Sequence, residues 1–579
     1  MEKPPTSPAI QVEAAESHEL SAVPVSERPM TNDSVTPKTW LVVFALSASS
    51  GLSIWLLPTV GTVSAQVSAK LHADAGQSTW FLSAFSVAAI VASMICGANS
   101  DLFGRRYFIL FGNLCMVISG VLTGAAKTSN HFIAGMTIGG FGTGCCQMAC
   151  FALPELLPLK WRPLGVVLSE AFAYFCLVVG PVAGKFAVNN GGENGEGWRW
   201  LFYPNAIANA VTGLMLAFLY FPPAHPRGIP WHQALRQLDY VGIALFILSI
   251  TLIMVGIVDT SYIADKSDPK IVGTLVSGFV LLVIFGCWET WAPLKQPLTP
   301  SRIFSRNRGR AFTAPFICGI SSGMFYLGPN ILWGTMVSVF FTKPTDPISH
   351  GMKLAMVQGL GITVGSMGLA ILGGRIKHWK WQMIIAFTLM TLFGGLFALG
   401  RPGRVAPLIF ICACSGITYS WAAYLGIAYI QFGAEQVDLG IAGGLAAVTR
   451  YAGALIATTV FSTILNNTLA SEAVKRVIPA AEAAGASRAV AQQVLSALPL
   501  GADALAKIQG ATTAIIAAAG SAFTESYVKA TQTVALTSIA FGGVGVISAL
   551  FLEDITAKMT PKIEVFLEND VNAEKNKFH

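Results

Sequence analysis

The chain has 579 residues, 53% of them hydrophobic and only 12% charged, with a mean hydropathy of +0.60. A soluble domain carries roughly 25% charged residues, so an ordinary water-facing globule is excluded, as is disorder for the bulk of the chain. The formal charge of +7 is modest. It points to no nucleic-acid partner, and what matters is where the basic residues sit relative to the apolar runs.

Residues 1–38 are rich in Pro, Ser, Thr and Glu and lack the basic start and apolar centre of a signal peptide. They read as a disordered cytoplasmic tail. A membrane-crossing helix needs ~20 mostly apolar residues, and fourteen segments supply them. The first six are Trp40–Val60, Trp80–Ala98, Tyr107–Ala126, Phe132–Leu153, Leu164–Val188 and Trp200–Phe221. A separate pair follows, Tyr240–Val258 and Ile271–Trp291. The last six are Ala311–Phe341, Met352–Leu372, Trp381–Leu399, Val405–Ile430, Leu439–Leu465 and Val534–Leu552. The expected fold is an all-α polytopic membrane protein. Its parts are a first lobe over 39–221, a linker with two extra helices over 222–309, a second lobe over 310–553 and a tail over 554–579.

Lys and Arg concentrate in loops that face the cytoplasm. The loops after even-numbered spans carry the denser basic residues, such as Arg105 and Arg106, Lys160 and Arg162, Arg302 to Arg310, and Arg375 to Lys380. Arg401 and Arg404 are the exception. Even loops are therefore expected inside, with both termini cytoplasmic. The connection 466–533 is long and Ala-rich, and Pro479 and Pro499 interrupt it. It reads as two or three short amphipathic helices over the outer face. All ten cysteines fall within apolar runs, as packing residues do, so neither a disulfide framework nor a metal site is expected.

Three motifs carry mechanism. Gly97, Asp101, Gly104, Arg105 and Arg106 lie in one stretch at the inner end of the second span. Glycines there permit a sharp turn and close helix approach, and the carboxylate can face a helix N-terminus. Gly180, Pro181 and Gly184 lie in the fifth span, where a proline removes a ladder hydrogen bond and kinks the helix. Finally, ionisable groups inside spans are costly and functional by default. Glu170 and Arg450 are the candidates for proton or substrate coupling, the alternative being a structural ion pair or lobe clamp. Tyr174, Asn205, Tyr326, Asn330, Gln358, Trp421 and Tyr424 could line a mid-membrane cavity, or simply make helix–helix hydrogen bonds. Asp239, Asp259 and Glu289 fall at span ends and read as interfacial.

The second-span stretch matches G-x-x-x-D-x-x-G-R-R/K, so the chain resembles the major facilitator superfamily. The resemblance implies two six-helix lobes plus an inserted pair. The Gly180-Pro181-Val182-Ala183-Gly184 run resembles the antiporter motif of drug:proton exporters, although Cys176 and Lys185 replace the outer glycines. Fourteen spans, Trp198-Arg199-Trp200, Leu238-Asp239-Tyr240, Pro154-Glu155-Leu156-Leu157-Pro158 and Arg450-Tyr451-Ala452-Gly453 narrow the likeness. They resemble the 14-span branch and, within it, fungal trichothecene efflux pumps and their siderophore-transporter relatives. The arginine that many such exporters carry in span four is Met136 here, so any coupling must use another group.

The resemblance implies a monomeric secondary transporter of the plasma membrane with no cofactor and no enzymatic activity. Its partners would be protons and a hydrophobic or amphipathic small molecule, such as a toxin, another secondary metabolite or a fungicide. Ferric-siderophore:proton symport is the alternative in transport, and a non-transporting sensor the alternative outside it. The absence of any nucleotide-binding loop argues against an ATP-driven pump.

Overall fold

The computed structural model describes residues 35–190, 195–222, 231–262, 268–342, 346–435, 438–498, 505, 507–559 and 567. Residues 1–34 of the tail expected over 1–38 and most of the one over 554–579 lie outside the described residues, as does Pro499, and the first helix already begins at Pro37. Among the described residues the regular structure is helical, joined by turns and irregular connections, with one isolated bridge between Leu238 and Gln296.

Among the described residues, fourteen helical segments are long and apolar enough to cross a membrane, one on each expected run. In chain order, the first six are Pro37–Ser64, Gly76–Phe103, Arg105–Gly124, Ser129–Leu153, Pro163–Val188 and Gly197–Leu219. The next are Tyr240–Thr260, Pro269–Trp291, Thr313–Phe341 and Ser349–Ile376, then Trp379–Leu399, Val405–Gly433, Leu439–Ala483 and Thr513–Leu550. Local chemistry sets several starts. Thr36 caps the first helix through Thr39 N–H, Asp74 and Gln77 form a capping box, and Thr128 and Thr512 cap the fourth and fourteenth spans.

Spans one to six pack on one another as one lobe and spans nine to fourteen as the other. The extra pair, spans seven and eight, packs chiefly on itself and leans on span two. Gln296, just after span eight, donates to Ala98 O at 3.1 Å and fastens the pair to the first lobe. Asp239, Asp259 and Glu289 lie at span ends, as expected, and are buried there. The chain folds back over two of them: Glu289 accepts from Leu298 and Thr299 N–H, and Asp239 accepts from Gly242 N–H and Trp288 Nε1. Asp259 faces Lys270 at 3.6 Å.

The connection 466–533 differs from expectation. Span thirteen continues as one 45-residue helix to Ala483, and span fourteen begins at Thr513 as a 38-residue helix. These are ~68 Å and ~57 Å long, against ~30 Å of hydrocarbon, so both stand well out of the membrane. The short helix Arg488–Ala497 joins them. Pro479 lies inside the long helix instead of ending it. Packing explains this, because Val477 and Ala481 share a small core with Ala491, Val494, Ile515 and Ala519. That burial outweighs the one ladder bond a proline removes.

Three spans of the first lobe are interrupted along their length. Helix one stops at Ser53 and resumes at Leu56, helix four stops at Cys146 and resumes at Ala149, and helix five stops at Ser169 and resumes at Ala171. The residue at the last break is Glu170, with non-helical φ −104° and ψ 8°.

Candidate functional site

The signature stretch closes one face of the seam between the lobes. Gly104 ends helix two and opens helix three at φ +83°, a conformation other residues adopt only under strain. One turn earlier, buried Asp101 accepts from Gly440 N–H at 2.9 Å and from Ile441 N–H at 3.1 Å. The carboxylate of the first lobe thus caps the N-terminus of span thirteen in the second, where the helix dipole favours a negative charge. Gly97 meets Gly444 so closely that a Cβ on Gly97 would fall 2.5 Å from Gly444 Cα. The two arginines work within the first lobe: Arg105 pairs with Glu155, and Arg106 donates to Ala217 O at 2.8 Å with its guanidinium 3.8 Å over the Phe221 ring.

A second contact joins the lobes deeper in the membrane. Arg450 Nη1 of span thirteen donates to Glu170 Oε1 of span five at 2.8 Å. Glu170 is wholly buried, while the Arg450 side chain keeps 23% exposure. Cys150 Sγ lies 3.1 Å from the same carboxylate oxygen, and Glu170 Oε2 has no hydrogen-bond partner. Ser50, Gln147 and Cys150 connect the three helix breaks, with Ser50 Oγ 3.0 Å from Cys150 Sγ and Gln147 Nε2 donating to Ser50 O at 3.4 Å. Interrupted helices free backbone groups within the spans, which is tolerated where they line a site. Gln431 of span twelve donates to Cys150 O at 3.2 Å and adds a further link between the lobes.

Tyrosines surround the pair. Tyr174 and Tyr424 meet edge to face at 5.7 Å across the seam, and Tyr326 lies 5.6 Å from Tyr419. Gln358 donates to Tyr326 O at 3.1 Å. Tyr174, Tyr326, Gln358 and Tyr424 therefore gather near the ion pair. The other three cavity candidates do not. Asn205 is bonded to Asn209 within the first lobe, Trp421 donates to Gln382 within the second, and Asn330 is exposed. Gly180 and Gly184 face span one, against Pro58 and Thr62. They tighten the first lobe and do not form the seam, and Pro181 sits inside a helix that continues to Asn189.

A model of the fungal trichothecene efflux pump family (TRI12) matches residues 37–579. The chain belongs to that family. An MFS-type transporter, prx5, of Penicillium rubens is 35% identical over 553 residues, which cover 95% of this chain and 97% of the relative. The trichothecene efflux pump TRI12 of Fusarium sporotrichioides is 23% identical, over 87% of this chain and 84% of its own. Among solved structures, the proton:xylose symporter XylE superposes with a TM-score of 0.53 at 15% identity, over 91% of this chain and 99% of its own. The human organic anion transporter MFSD10 gives a TM-score of 0.50 at 15% identity, over 90% of this chain and all of its own. At such identity these two show the fold alone, which is the major facilitator fold. This member of the trichothecene efflux pump family is thus a multi-pass efflux transporter and not an enzyme.

Sequence reasoning overlooked several residues of the site. Glu155 could have been found by asking what neutralises Arg105 at a membrane edge. Tyr419 and Tyr451 are buried close enough to the paired groups to feel the charge of both. Their signal is only that they are polar aromatics on the same spans as Trp421 and Arg450. Cys150 and Gln147 gave none, because a small polar residue inside an apolar run looks like packing.

Proposed function

We propose that the transporter exports a hydrophobic or amphipathic small molecule, with proton movement through Glu170 driving the lobes between inward- and outward-facing states. The observation that carries this reading is the buried Glu170–Arg450 contact between spans of opposite lobes. A buried ion pair with one partner removed loses about 3–5 kcal/mol. A proton on Glu170 discharges the carboxylate, weakens its hold on Arg450 and frees the lobes to tilt, and loss of the proton restores the clamp. Proton entry supplies about 2.3 kcal/mol per 100 mV of membrane potential, before any pH gradient.

In this reading the units are the lobes over 39–221 and 310–553, with the inserted pair over 222–309 between them. The Gly97–Arg106 loop faces the cytoplasm, both termini lie on that side, and a monomer in the plasma membrane is the working unit. Tyr174, Tyr326, Gln358 and Tyr424 line the substrate cavity, and the substrate is a sesquiterpenoid toxin or similar secondary metabolite. Retention and uptake of a labelled trichothecene and a labelled ferric siderophore, in cells expressing the chain with and without a protonophore, test it. Lower toxin retention that the protonophore abolishes is the expected result. Siderophore accumulation with unchanged toxin retention overturns the export reading in favour of symport.

A further inference from the structure

Spans five and ten come from opposite lobes and leave a groove between them with a volume of about 520 Å³. Its walls include Val167, Ala171, Tyr174 and Phe175 of span five and Met367 and Ile371 of span ten. The mouth is open at membrane depth, since Phe175, Met367 and Ile371 are 55%, 56% and 58% exposed. The floor is buried, with Val167 at 5% and Tyr174 at 4%.

Almost nothing in the groove is polar. The Thr363 hydroxyl donates to Gly359 O at 2.9 Å and the Tyr174 hydroxyl to Val167 O at 3.3 Å, so both are already engaged. Further along the seam the two spans touch, and a Cβ on Gly359 would lie 3.0 Å from the Val178 side chain. That contact shuts the groove toward the face opposite the signature loop. The exposed wall residue Ala171 follows Glu170 directly, and Tyr174 meets Tyr424 beside the ion pair.

The geometry points to a side door: an amphipathic substrate dissolved in the signature-loop leaflet enters through this groove, apolar body first against spans five and ten, polar end toward Arg450 and the tyrosines. The volume lies within the 300–1,000 Å³ range, on the order of what a drug-sized ligand needs, and the apolar lining suits a solute already in lipid. A structural acyl chain fits less well, because the seam must open and close as the lobes rock and a permanent wedge would hold it apart. This inference rests on the export reading for direction. On the orientation proposed above, the leaflet is the cytoplasmic one.

The test uses the purified full chain in phosphatidylcholine nanodiscs and a photoreactive diazirine derivative of a sesquiterpenoid alcohol. Label is expected on 171–179 and 360–371, displaced by unlabelled alcohol and not by extra phospholipid. Ala171→Trp and Ala370→Trp add bulk to open space and should cut labelling by about tenfold, as overfilling a fitted site does. Ile207→Trp adds the same bulk on the 65%-exposed face of span six, outside the groove, and should keep it, which controls for added bulk and misfolding. Label elsewhere, label unchanged by the Trp variants, or label displaced by phospholipid alone overturns the side door. Labelling needs no proton gradient, so a labelled groove without export sinks the export reading only. Export with an unlabelled groove sinks the side door only.

Discussion

Asp101 of span two accepts the backbone N–H of Gly440 in span thirteen at 2.9 Å, so one lobe supplies the N-cap of a helix in the other. A cap between rigid bodies must break whenever they separate on that face. It therefore sets part of the free-energy difference between the two states of the transporter, on top of whatever it contributes to folding.

Asp101→Asn keeps an acceptor but removes the charge that the helix N-terminus favours. A charge at a helix N-terminus contributes about 0.3–1 kcal/mol, so the population open on this face should rise by about 2- to 5-fold. Spin labels at the exposed positions Lys160 and Arg375, one in each lobe, report the separation. A longer-distance population that grows in the variant is expected, and an unchanged distribution would dismiss the cap as a determinant.

The Gly97–Gly444 contact allows no side chain at either position. Gly97→Ala and Gly444→Ala should each hold the lobes apart on this face and lower the initial efflux rate by about tenfold or more. The double variant should be little worse than either single one, because both act through one contact. Additive losses in efflux assays would mean that the two glycines serve separate purposes.

The spans and the signature stretch were legible in the sequence because each rests on local chemistry: apolar runs of membrane length, and glycines spaced about a carboxylate. What escaped depends on contacts distant in the chain. Glu170 and Arg450 are 280 residues apart, and only the fold brings them together. The break at Glu170 has no proline or glycine to announce it, since Ser169 and Ala171 flank it. The long extensions of spans thirteen and fourteen escaped for the opposite reason. Pro479 signals a stop, yet packing of Val477 and Ala481 against the adjoining helices carries the helix through it.

That outer core gives a local prediction. Val477→Asp puts an unpaired carboxylate at a wholly buried position, a change that costs several kcal/mol in a packed core, roughly. Hydrogen exchange should accelerate across 473–519 while the spans stay protected. Acceleration throughout spans nine to fourteen would mean that the extension is a cooperative part of the lobe.

A pH dependence follows from the C-terminal end of span fourteen. Partial burial opposes ionisation of Glu553, but hydrogen bonds from Lys558 and Asn307 hold its carboxyl below the ordinary value. A carboxyl depressed in the folded state stabilises above its unfolded pKa and loses that contribution as the pH falls through the folded one. Glu553→Gln should therefore lower the thermal midpoint at neutral pH. The gap to the parent should narrow as the pH drops below about 4, and a gap independent of pH would show that the carboxylate contributes nothing there.

The most direct test of the account is transport into inverted membrane vesicles containing the parent or Glu170→Gln, with an acidic lumen imposed. The parent should accumulate labelled trichothecene only while the gradient lasts. Glu170→Gln should lose that accumulation and keep exchange of labelled for unlabelled substrate. Accumulation by Glu170→Gln with the parent's dependence on the gradient would contradict proton coupling through the Glu170–Arg450 pair.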